Sequence, residues 1–164
     1  MKSTELVVLV VSIAAILMSG YTLVGALDGG ETIEPTSRTI YMNALEYKGS
    51  TTVDKEPFPS QALPPGGGYA LKEPDETGKW VVESYQFAPS VIVAYQGDSV
   101  TLKILGSNGA EHAIFVDEYV NPFTLHRGEL ATKTFIADKV GTFEMVCNTH
   151  LPNMVGHLVV LPRP

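Results

Sequence analysis

The chain has 164 residues, a formal net charge of -7 and a single cysteine, Cys147. That length holds one ordinary domain and an appendage. The acidic balance, with no cluster of Lys or Arg, excludes nucleic-acid binding through a basic patch, and the lone cysteine excludes an internal disulfide framework and a cysteine-rich zinc site.

Leu6 to Leu27 is almost wholly apolar and carries no charge, which is long enough for one helix across a bilayer. Lys2 precedes it and Asp28, Glu31 and Glu34 follow. Positive charge stays inside, so the N-terminus is expected in the cytoplasm and the rest on the periplasmic, extracytoplasmic side of the cell membrane. The run exceeds the core of an ordinary signal peptide, which favours a single-pass anchor over residues 1–27 above a cleaved signal ending at Val24-Gly25-Ala26. Residues 28–79 read as an extended linker or surface excursion with one candidate strand, Arg38–Tyr47. Between Lys55 and Gly78 the prolines and Gly66-Gly67-Gly68 forbid a helix or a central strand.

From Trp80 the pattern changes to short strands: Trp80–Phe87, Ser90–Ala94, Ser99–Leu105, Ala113–Val116, Thr132–Ala137, Thr142–Cys147 and His157–Leu161. Turn residues separate them, as at Gly97-Asp98 and Asp138–Gly141. With no amphipathic helix, residues 80–164 are expected to form an all-β, antiparallel Greek-key β-sandwich.

The stretch from Phe143 to His157 places a thiol (Cys147), an imidazole (His150) and a thioether (Met154) in one tight loop. Cys147 alternates with Phe143 and Met145, so its sulfur is expected to face the core. A second imidazole is expected from His112, which opens an apolar strand about 35 residues earlier. Two His and one Cys with a weak axial Met make the electron-transfer copper set, so the metal candidates are His112, Cys147, His150 and Met154. His126 reads as a surface residue. His157 is expected to turn away from Cys147, and Glu111 is a secondary candidate for a hard axial ligand. His150 is expected to be the ligand nearest solvent.

On these residues the chain resembles the cupredoxin superfamily, and most of all the periplasmic domain of cytochrome c oxidase subunit II. The resemblance runs from about Val82 to Leu161. It is carried by Tyr85-Gln86-Phe87-Ala88-Pro89, Val91-Ile92-Val93, Gly97-Asp98-Ser99-Val100, His112-Ala113-Ile114-Phe115-Val116 and Cys147 to Val160. Subunit II holds a binuclear copper centre through two cysteines. Here Phe143 stands where the first would be and Leu151 where the histidine would be, so one copper ion is expected. The loop is similar to that of plastocyanin, one residue shorter. It also resembles nitrosocyanin, in which a glutamate occupies the position of His112 and a histidine replaces the methionine.

The resemblance implies a membrane-anchored, mononuclear copper protein for single-electron transfer. It would act as a carrier or as a subunit II-like component of a respiratory haem–copper complex, an oxidase or a nitric oxide reductase. Its partners would be the membrane, a redox protein (a cytochrome c or another cupredoxin) and a haem–copper catalytic subunit. Copper delivery or buffering, and catalysis at copper on nitrogen oxides, are the alternatives. An open coordination position would be needed for the second.

Overall fold

A computed structural model describes residues 33–163. The expected anchor over residues 1–27 lies outside them. Among the described residues no helix is long and apolar enough to cross a membrane. Ten strands carry the described residues: β1 Ser37–Thr52, β2 Tyr69–Lys72, β3 Lys79–Ala88, β4 Val91–Tyr95, β5 Ser99–Gly106, β6 Glu111–Val116, β7 Val120–His126, β8 Leu130–Ile136, β9 Gly141–Cys147 and β10 Val155–Leu161. They form two five-stranded sheets, ordered β2-β3-β1-β5-β8 and β4-β10-β9-β6-β7. Between β9 and β10 lies one 3-10 turn, Asn148–His150.

The all-β sandwich is present, but its sheets are mixed rather than antiparallel. β1 runs parallel to β5, and β4 runs parallel to β10. β4 belongs to the second sheet although β3 and β5, its neighbours in sequence, belong to the first. Crossing between sheets lets strands from distant parts of the chain meet in the same direction. Alternation of side chains is the same in both kinds of pair, so the pattern alone does not separate them.

The sandwich also begins well before Trp80. The candidate strand at Arg38–Tyr47 extends over Ser37–Thr52 and sits between β3 and β5. It pairs with β3 from Asn43↔Ala88 to Thr52↔Lys79 and with β5 from Ser37↔Ser99 to Ala44↔Gly106. The Pro/Gly-rich stretch contributes only the edge strand β2, as its prolines require. The excursion packs on the domain: Trp80 Nε1 donates to the Glu56 carbonyl at 3.0 Å, and Phe58 meets the Trp80 ring edge-on. β7 escapes the pattern because Pro122 interrupts it, and it too is an edge strand.

Alternating residues fill the space between the sheets. Val100, Leu102 and Ile104 of β5 and Met42 and Ala44 of β1 are buried from one side, and Ile114, Val116, Leu158 and Val160 from the other. Each large one contributes roughly 1.5–3 kcal/mol by leaving water. The expected turn at Gly97-Asp98 does more than reverse the chain. Asp98 is fully buried and accepts hydrogen bonds from the Thr36 and Tyr95 N–H groups and from Arg38 and Arg163. Burial pushes its carboxyl pKa up, but these donors outweigh burial and hold it well below the usual carboxylate range.

Candidate metal centre

Cys147 ends β9 opposite Ile114 of β6. His112 lies two residues before Ile114 on the same face of the pleat, which sets its ring beside the sulfur. His112 Nδ1 is 3.9 Å from Cys147 Sγ. After Cys147 the 3-10 turn folds the chain back and brings His150 Nδ1 to 3.3 Å from the same sulfur. One donor atom from each of His112, Cys147 and His150 lies within 4.8 Å of the others, and all three residues are buried.

These spacings fit a single ion. Bonds of about 2.0 Å to nitrogen and 2.3 Å to sulfur, set at 120°, place N and S about 3.7 Å apart. The two observed N···S distances lie on either side of that value. Met154 is fully buried in the core cluster that contains Cys147. Its N–H donates to the His150 carbonyl and its carbonyl accepts from the Cys147 N–H, both at 3.0 Å. The loop from thiol to thioether is thus closed on itself. A soft thiolate and thioether beside two imidazoles is a donor set suited to copper.

The remaining candidates stand apart. His157 lies on the half-buried face of β10, opposite the face of Gly156, Leu158 and Val160 that fills the core. Glu111 and His126 are exposed, paired across β6 and β7. His150 is the more exposed of the two clustered histidines, as expected, at 7% against 0% for His112. It is nonetheless covered. The Tyr85 ring stacks on it at 3.6 Å between centroids and 8° between planes.

Three positioning residues were not legible in the pattern. Asn108 splices the loop before β6 onto β1: its Oδ1 accepts from the Glu46 N–H at 2.6 Å and its Nδ2 donates to the Glu46 carbonyl at 2.9 Å. The Asn108 carbonyl then meets His112 Nε2 at 2.8 Å. A carbonyl only accepts, so Nε2 carries the proton and Nδ1 turns its lone pair toward the sulfur. Glu46 is buried and pairs with Lys48, and burial together with the nearby Glu46 raises the pKa of Tyr85. The Asn108–Glu46 contacts join residues 62 positions apart in the chain, which no local signal reports.

The electrostatics leave the donors ready for a metal. Burial lowers the pKa of His112, and burial together with the neighbouring His112 pushes His150 down to about 4. Both rings are therefore neutral at pH 7. Burial pushes the Cys147 thiol up, against the N–H groups of His150, Thr149 and Ala113, which favour thiolate. At neutral pH the metal-free sulfur is a thiol, and a bound cation would displace its proton.

No family model matches the chain, and no curated protein matches it. Among solved structures, the chain is similar to a copper nitrite reductase from Nitrosomonas europaea, with a TM-score of 0.51, 16% identity and coverage of 77% of this chain and 42% of that one. It is also similar to a multicopper oxidase from Pseudomonas thermotolerans, with a TM-score of 0.52, 14% identity and coverage of 80% of this chain and 31% of that one. The chain spans less than half the length of either structure. At such identity the likeness gives the fold alone, the cupredoxin β-sandwich.

Proposed function

We propose that the chain would hold one copper ion through His112, Cys147, His150 and Met154 and pass single electrons. The observation that carries this reading is the buried triangle of one sulfur and two nitrogens at the spacing of a single ion. Copper would supply a one-electron couple. The residues hold the donors in one arrangement, which keeps reorganisation small. Burial of all four candidates, with Tyr85 over His150, favours electron transfer over catalysis on nitrogen oxides, which needs an open position. The fold shared with copper enzymes agrees with this choice of metal.

In the same reading the domain is tethered to the membrane by residues 1–27 and works on the extracytoplasmic side. Its redox partner is a cytochrome c or another cupredoxin, and its setting is a subunit II-like place in a haem–copper complex. Exposed Leu151 and Pro152 beside the site supply an apolar docking edge. Loading the purified protein with one equivalent of copper should produce an intense visible thiolate-to-copper absorption that bleaches on reduction. Absence of that band overturns the reading, and a stoichiometry of two overturns the single ion. Rapid loss of copper to a mild chelator would favour delivery instead. Co-purification from membranes with a haem–copper subunit tests the setting.

A further inference from the structure

We infer that Gly66-Gly67-Gly68 is a clamp on the loop carrying His150 and Met154, and that it positions both donors. The inference rests on the copper reading above. Thr149, Leu151, Pro152 and Asn153 of the loop are all exposed and no side chain caps its 3-10 turn, so contacts from outside the loop bear on where it sits. The three glycines lie directly against it. A Cβ at Gly66 would meet the Leu151 carbonyl oxygen, one at Gly67 that of Thr149, and one at Gly68 that of His150, each closer than the 3.0 Å that real Cβ atoms keep. None of the three is among the glycines with positive φ, which are Gly78, Gly97, Gly109, Gly128 and Gly141. What they require is therefore space, backbone against backbone, and not a left-handed conformation.

Hydrogen bonds turn this contact into a tie. Gly68 N–H donates to the Leu151 carbonyl at 3.1 Å, and the Gly68 carbonyl accepts from the Tyr85 N–H at 2.7 Å. Asn153 Nδ2 reaches Ser84 Oγ at 2.6 Å. The ligand loop between β9 and β10 of one sheet is thereby fastened to β3 of the other, beside the Tyr85 ring that stacks on His150. The clamp has its own anchors. Tyr69 Oη donates to the Pro64 carbonyl at 2.9 Å, and β2 follows at once, with Tyr69 paired to Ser84.

The test uses the full chain with Gly68→Ala, with Asn153→Ala, which removes a tie without adding an atom, and with Gly49→Ala as control, where a Cβ makes only ordinary contact with Val82. In the metal-free protein, amide exchange at Met154 N–H should speed about tenfold or more in the first two variants, while amides in the middle of β1 and β9 hold. With one equivalent of copper, the same variants should shift the visible band pattern and the copper hyperfine coupling. They should also lose copper to a chelator about tenfold faster, rates being exponential in barrier height. Gly49→Ala should match wild type. If Gly68→Ala and Asn153→Ala both stay within about twofold of wild type in exchange and in copper loss, with unchanged spectra, the clamp is refuted. Should Gly68→Ala fail to fold, Asn153→Ala decides. Wild-type protein that takes up no copper would overturn the metal reading, and loop exchange would still judge the clamp separately.

Discussion

His112 and His150 are held in different ways. His112 is fixed by a hydrogen bond from Nε2 to the Asn108 carbonyl, whereas His150 is fixed by the stacked Tyr85 ring. Replacing Tyr85 with Leu should therefore shift the reduction potential and the visible spectrum, while Phe, which keeps the stack and loses only the hydroxyl, should restore both. Cys147→Ser should abolish the visible band and leave the far-UV dichroism of the sandwich unchanged. In the metal-free protein the sign of the pH effect follows from His150. Its ordinary value is 6.5 and its folded value about 4, so below 6.5 the unfolded chain takes up a proton that the folded ring refuses. Stability should fall as pH drops from 6.5 to 4, by roughly 3 kcal/mol, and stay level just above 6.5. His112 shifts the same way. Denaturant midpoints at pH 7, 5.5 and 4.5 measure this, and a flat profile would contradict it.

Among the elements, β1 is tied to the turn before β5 through Asp98. Asp98 joins the entry to β1, through Thr36 and Arg38, to the chain end at Arg163. Asp98→Ala leaves the Thr36 and Tyr95 N–H groups and two guanidinium groups without their acceptor. It should cost about 3 kcal/mol, read as a lower denaturant midpoint. Because the folded pKa of Asp98 lies below its ordinary value of 3.8, its contribution is full above that pH and is lost as pH falls beneath it. Strands β3, β4, β5, β6, β8, β9 and β10 were visible as alternating runs, since alternation is imposed by a sheet with one face buried. The edge strands β2 and β7 bury few side chains and therefore leave little pattern.

For the whole molecule, the position of β1 between β3 and β5 decides where the folding unit starts. A chain beginning at Trp80 should fail to melt cooperatively, because two strands of the first sheet would lose their common neighbour. One beginning at Pro35 should melt in a single transition, followed by thermal dichroism. By itself the sequence determined the all-β class, the inward face of Cys147 and the loop order Cys147, His150, Met154. These depend on period-2 alternation and on spacing within a few residues, which act locally. Only the tertiary structure decided that β1 is central, that Asn108 and Glu46 orient His112, that Tyr85 covers His150 and that Gly66-Gly67-Gly68 lies on the ligand loop. Each of these joins segments tens of residues apart, and such contacts form only when the two sheets close on one another.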